Sequence, residues 1–157
     1  MNIEIYTDGS CIKHKGTLYG GYGVHFPDKQ CDDVSKKLRI SEGPITNQRA
    51  ELKAILVGLK KCIVLKPDSI KIFSDSEYSI KCVTIWYKDW EKRGWTNFKK
   101  QPVKNQDLIQ KILKYKNKFK GNLQFQHVYG HGNCKGNIIA DKLATSASKG
   151  QISKIYE

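Results

Sequence analysis

Four acidic side chains stand where a carboxylate could do chemistry. Asp8 ends a run in which Ile3, Ile5 and Thr7 alternate with polar residues, and Asp75 follows the similar run Ser69–Ser74. In α/β proteins, sites gather at the carboxyl ends of strands. If these two strands are neighbours, their carboxylates lie side by side. They would then repel unless one takes a proton or a cation lies between them. A hard divalent ion such as Mg²⁺ accepts oxygen ligands of this kind. Glu51 falls in the first turns of one helical pattern and Asp141 within another, and either helix could carry its acid to the same edge. Singly, each acid has a local explanation: Asp8-Gly9 suits a turn, and Asp75-Ser76 suits a helix start. His131, between Gly130 and Gly132, sits on a glycine-rich segment. A histidine titrating near ~6.5 suits proton transfer, although a solvated loop histidine explains it equally. His131-Gly-Asn-Cys134 has half of a zinc spacing, but no matching second half follows, so zinc is not expected.

The elements that must position these groups are legible from periodicity. Residues 2–8 alternate as a strand, and a turn rich in Gly and Lys is expected from Gly9 to Gly20. Residues 21–26 and 34–40 read as further strands of an antiparallel meander. Thr46 suits a helix N-cap; Leu52, Ile55, Leu56, Leu59 and Ile63 then recur at helical spacing until Pro67 forbids continuation. The 69–74 strand, reached by a helical crossover, should pair parallel to its neighbour. A short helix from about Glu77 leads into the segment 86–104. A basic amphipathic helix is expected at about 105–119, a strand at 123–128, and a final helix at about 137–148 with Ile138, Ile139 and Leu143 on its buried side. The order predicts an α/β domain over 1–150: a five-stranded mixed sheet, three strands antiparallel plus two parallel, flanked by helices. Residues 151–157 should form a short, loosely held tail.

The charge narrows the partners. Lys and Arg number 28 against 15 Asp and Glu, a formal net charge of +13. That field attracts polyanions, with phosphate backbones the usual case, although excess lysine can also serve solubility alone. The five cysteines, Cys11, Cys31, Cys62, Cys82 and Cys134, form no C-x-x-C pair and read as free thiols in a reducing compartment. No signal peptide is visible and no apolar run approaches the ~18 residues of a membrane span. A cytoplasmic monomer is therefore expected, or one located wherever nucleic acid is replicated. Tyr19-Gly-Gly-Tyr-Gly23 lacks the Gly-Lys-Ser/Thr of a nucleotide loop. The lysine-rich 111–120 stretch suits the solvated face of a helix better than a membrane surface.

Five separated motifs occur in one order: Tyr-Thr-Asp8-Gly-Ser-Cys, Thr46-Asn-Gln-Arg-Ala-Glu51-Leu, Phe-Ser-Asp75-Ser, Val-Tyr-Gly-His131 and Gly136-Asn137-Ile-Ile-Ala-Asp141. Together they resemble the cellular type 1 ribonucleases H over about residues 2–148. The resemblance implies the ribonuclease H-like fold. It also implies an endonuclease that hydrolyses the RNA strand of an RNA–DNA hybrid, leaving 5′-phosphate and 3′-hydroxyl ends. Asp8, Glu51, Asp75 and Asp141 would hold two Mg²⁺ or Mn²⁺ ions, with His131 as an auxiliary catalytic residue.

The same resemblance casts Asn47 and Gln48 as readers of the minor groove and the 2′-hydroxyl, with backbone amides around Cys11 as a further RNA contact. Thr46 and Asn105 match the family's DNA-phosphate pocket. Trp86, Lys88, Trp90, Lys92, Arg93, Trp95, Lys99 and Lys100 resemble its basic protrusion, with the rings mainly packed and the cations outward. Three positions depart from the pattern: Pro44 where some relatives carry arginine, Phe98 where a small polar residue can stand, and His14 near a frequent asparagine. None touches the acids, so they bear on affinity. The separate N-terminal hybrid-binding module of some relatives is not expected. A non-catalytic hybrid-binding module, or a metal nuclease for another duplex, are the alternatives.

Overall fold

The structure is a computed structural model and describes residues 1–155. Strands β1 (Asn2–His14), β2 (Thr17–His25) and β3 (Val34–Lys37) precede a 3-10 turn at Ile40–Glu42 and helix α1 (Asn47–Val64). Strand β4 (Ser69–Ser74) leads to α2 (Glu77–Lys81), a π-helical turn at Cys82–Trp86 and α3 (Tyr87–Lys92). Helix α4 (Gln106–Lys118), strand β5 (Asn122–His127) and α5 (Lys135–Ile155) complete the chain. The sheet order is β3-β2-β1-β4-β5, antiparallel across β1–β2 and β2–β3 and parallel across β1–β4 and β4–β5. This is the mixed five-stranded sheet expected from the element order.

Alternation and helical periodicity meet in one core. Ile3, Ile5, Ile70 and Ile72 share the sheet face that receives Leu52, Ile55 and Leu59 of α1 and Ile109 and Ile112 of α4, all essentially fully buried. Thr46 caps α1, its hydroxyl accepting from Arg49 N at 3.1 Å. Among the described residues no helix is long and apolar enough to cross a membrane.

Several boundaries differ from the sequence expectation. β1 does not end at Asp8; it runs on to His14, paired with β2 through His14↔Thr17. The turn is confined to Lys15 (φ 49°) and Gly16 (φ 81°). Pairing satisfies the backbone groups of residues 9–14 that face β2, which no local reading of glycine as punctuation could anticipate. The third strand stops at Lys37, and α5 continues to Ile155, so residues 151–155 prolong a helix; Tyr156 and Glu157 lie outside the described residues. The buried side of α5 is also different. Ile138 and Ile139 are exposed, whereas Ala140, Ala144 and Ser148 are fully buried. The cause is the glycine-lined surface of β2: a Cβ on Gly21 would lie 2.5 Å from Ala144 O, and one on Gly23 2.6 Å from Ala140 O. Helix and sheet approach so closely that only small side chains fit between them.

Candidate active site

Asp8 lies within β1, at the point where parallel pairing with β4 ends (Thr7↔Ser74) and antiparallel pairing with β2 continues. Asp75 is the next residue of the partner strand, so the pairing sets the two acids side by side. The helix start belongs to Ser76, whose hydroxyl accepts from Ser79 N at 3.2 Å, and the Asp75 carboxylate is left to face the cleft. Glu51 arrives from α1 because position 9 has no side chain. A Cβ on Gly9 would stand 2.3 Å from Glu51 N and 2.5 Å from Ala50 C, so the helix backbone rests directly on the strand.

Asp8, Glu51 and Asp75 each bring one carboxylate oxygen to within 4.8 Å of the others. Asp8 and Glu51 are buried, Asp75 is half-buried and Asp141 is exposed. Asp141, on α5, lines the same cleft of about 370 Å³ together with Asn47, Gly130, His131, Asn137 and Lys142. His131 is exposed, at φ 64°, on the rim. A Cβ on Gly130 would lie 3.1 Å from Asp75 Oδ2, so the loop backbone passes close over that acid. All donors in the inner group are carboxylate oxygens, and Glu51 Oε2 is buried without a hydrogen-bond partner. An oxygen-only, electron-rich set of this kind fits a hard divalent cation.

Burial raises the Asp8 carboxyl to about 7; the neighbouring charge of Asp75 pushes the same way, while a hydrogen bond with Glu51 opposes it. Glu51 is raised well above its ordinary value, by burial and then by the charge of Asp8. The folded protein therefore favours the protonated acids. For Asp8 that stabilisation is complete below its unfolded value of 3.8 and is lost as pH rises through about 7. A cation competes with these protons, so metal affinity should increase with pH up to and through about 7. Thermal melts with Mn²⁺ and with chelator at about pH 5 and about pH 8, below and above the raised Asp8 value, check this: the metal-induced rise in Tm should be larger at the higher pH. An equal rise at both would contradict it.

The other sequence-nominated residues surround the acids at varying distance. Thr46, Asn47 and Gln48 are exposed at the start of α1. Asn105, left-handed at φ 64°, donates to Tyr78 OH at 3.0 Å and to Gln48 Oε1 at 3.4 Å. Arg49 organises this corner. Its guanidinium donates to both Asp107 oxygens (2.9 and 2.7 Å), to Asn105 Oδ1 (3.4 Å) and to Glu42 O (3.1 Å), tying the starts of α1 and α4 together. Cys11 is different: its side chain packs against Leu38, Ile45 and Ala50, and its residue pairs with Gly20 inside the ladder.

In the protrusion the ring centroids of Trp86 and Trp90, and of Trp90 and Trp95, are 6.1 Å apart. Trp90 and Trp95 pack against the core, whereas Trp86 is exposed. Lys88, Lys92, Arg93, Lys99 and Lys100 all project outward. The π-helical turn beneath them is braced by Lys116, whose ammonium donates to Val83 O at 2.9 Å and lies over the Tyr87 ring. Of the departures, Phe98 and Pro44 are exposed and His14 is half-buried at the end of β1. Two neighbours of the acids, Asn137 and His127, lie outside the set of site residues that the sequence nominates. Asn137 carried a signal in its spacing, four residues before Asp141 on one helix face. His127, whose Nε2 lies 3.3 Å from Asp75 O, carried none.

A mixed sheet in this order, with carboxylates from β1, α1, β4 and α5 around one cleft, defines a class of metal-dependent nucleases. Residues 1–149 match the RNase H family, and the chain belongs to it. It is similar to the ribonuclease H of Rickettsia bellii, with 38% identity over 142 residues that cover 90% of this chain and 86% of that one. Among solved structures it resembles the PFV RNase H domain, at 27% identity and a TM-score of 0.76 over 94% of each chain. It also resembles part of a foamy viral protease–reverse transcriptase solved with an RNA/DNA hybrid. There the identity is 25% and the TM-score 0.72, over 93% of this chain and 20% of that one.

Proposed function

We propose that this protein is an endoribonuclease that hydrolyses the RNA strand of RNA–DNA hybrids and leaves 5′-phosphate and 3′-hydroxyl ends. The observation that carries the proposal is the convergence of three carboxylate oxygens within 4.8 Å in a cleft on a protein of net charge +13. A purely binding surface for a polyanion gains nothing from buried acids. Two Mg²⁺ ions, with Mn²⁺ as a substitute, would supply activation of the attacking water and stabilisation of the departing 3′-oxygen.

The chain's own groups do the rest. Asp8, Glu51 and Asp75 hold the inner positions, and Asp141, exposed on α5, completes the set from the open side. In-line attack of water at phosphorus breaks the P–O3′ bond, and His131 on the rim is placed to take up or return a proton as product leaves. The amides of Asn47 and Gln48 offer donors and acceptors to the minor groove and the 2′-hydroxyl. Thr46 and Asn105 take a DNA phosphate, in a corner held by Arg49. Backbone groups near Cys11 add a further RNA contact. The cations of the protrusion grip the DNA strand, which makes affinity salt-sensitive. The free thiols support a reducing, cytoplasmic setting, and a monomer suffices because the described residues supply the whole acidic set.

A cleavage assay with each strand labelled, on hybrid, double-stranded DNA and double-stranded RNA, tests the reading. RNA-strand cleavage in the hybrid alone, with Mg²⁺ and not with chelator, is expected. Equal cleavage of double-stranded RNA would sink the substrate assignment. Tight hybrid binding without turnover would leave a binding module in its place.

A further inference from the structure

Asn137 occupies the first turn of α5, next to Gly136. A Cβ on Gly136 would come within 2.3 Å of Tyr6 Cε2, so the helix start rests flush on that ring, and the ring in turn stacks on Phe73 at 4.5 Å. The seat is rigid, and it places Asn137 in the cleft with the four acids. Asn137 is only 5% exposed, yet its Oδ1 is buried without a hydrogen-bond partner, as is Glu51 Oε2. Buried polar atoms are normally satisfied, and leaving one unpaired is costly. Both orphans here are acceptors in a cleft lined by four carboxylates, and none of the donors that also line it (Asn47, His131 and Lys142) makes a hydrogen bond to either atom. A phosphate diester brings only further acceptors. Water accompanying a divalent cation brings polarised O–H donors and suits both atoms at once.

We propose that Asn137 is an outer ligand of the metal centre: its Oδ1 accepts a hydrogen bond from a water carried by the cation that Asp8, Glu51 and Asp75 hold. The inference rests on the metal-dependent reading given above and adds to it a residue outside the acidic set. Asn137 and Asp141, four apart, then present an acceptor and a carboxylate from one helix face. Outer partners of this type orient metal-bound groups and strengthen binding without touching the ion.

Calorimetric Mn²⁺ titration, together with thermal melts in chelator and in excess Mn²⁺, tests this on the wild-type protein, Asn137→Ala and Asn137→Asp. Asn137→Ala should bind Mn²⁺ about tenfold more weakly. Its Tm in chelator should be unchanged or higher, because no hydrogen bond is lost, and the rise produced by Mn²⁺ should shrink. Asn137→Asp keeps an acceptor and should bind at least as tightly as wild type. Wild-type affinity in Asn137→Ala overturns the proposal, as does a Tm in chelator that falls as far as the Tm in metal, since that marks a structural amide. If the wild-type protein itself binds no Mn²⁺, the metal-dependent reading fails first and this inference falls with it.

Discussion

Asp75→Asn is expected to lower kcat for RNA-strand cleavage by about 10³-fold or more, while hybrid affinity measured in chelator stays near wild type. The substitution preserves shape and removes one negative charge from the inner oxygen set. The half-buried Asp75 shares that set with the buried Asp8 and Glu51, so no spare carboxylate stands within it. Binding should survive because the amides and cations proposed to face the hybrid lie on α1, at the start of α4 and on the protrusion. A second effect follows from the electrostatics. The charge of Asp75 helps hold the Asp8 carboxyl up, so its removal should lower that value from about 7 and extend proton release to lower pH. An Asp75→Asn variant that cleaves at the wild-type rate would refute the catalytic assignment.

Gly9→Ala should be a severely damaging single-methyl change, because it acts on the core and on the acidic site together. The added carbon would meet Glu51 N at 2.3 Å and Ala50 C at 2.5 Å, both backbone atoms that cannot rotate away. Helix α1 would have to lift off β1, opening the core between Ile5 and Leu52 and withdrawing Glu51 from Asp8. Overpacking of this kind costs about 3 kcal/mol or more, which for a chain of this size is a fall in Tm of roughly 6–12 °C. Metal affinity and cleavage should fall with it. Gly150→Ala is the matched control: nothing lies within 4 Å of a Cβ there, and the position is helical, so stability should hold or rise slightly. Chemical denaturation of the two variants side by side separates the outcomes, and a Gly9→Ala protein as stable as wild type would contradict the close approach.

None of the departures at Pro44, Phe98 and His14 lines the acidic cleft. Phe98 is 79% exposed at the end of the protrusion, where it borders Trp90 and Arg93. It offers a flat apolar face beside the Arg93 cation. The acids are held by β1, β4, α1 and α5; of the three positions only His14 lies on one of these elements, at the end of β1 six residues beyond Asp8.

Periods of two and 3.6 residues, together with capping and proline, were enough to place β1, β4, α1 and α4. Those signals arise from interactions between residues a few positions apart. The order of the acidic motifs and the excess positive charge were equally visible in the chain itself, and they pointed to a polyanion-acting, metal-dependent site. What the chain could not show is how segments far apart in sequence approach one another. The glycines from 9 to 20 look like turn residues locally, yet Gly9 and Gly20 lie in paired strands, and at Gly9, Gly21 and Gly23 the missing side chains admit the backbones of α1 and α5. Register along β1 and β4 sets Asp8, in mid-strand, beside Asp75, which follows the end of β4 as expected. The same close packing exposes Ile138 and Ile139 and buries Asn137 unsatisfied among the acids. Local patterning determined the elements and named the carboxylates. Backbone-to-backbone contact at Gly9, Gly21 and Gly23, and the seat of Gly136 on the Tyr6 ring, decided which of them meet, because only tertiary packing places a helix within reach of a strand that lies distant in the chain.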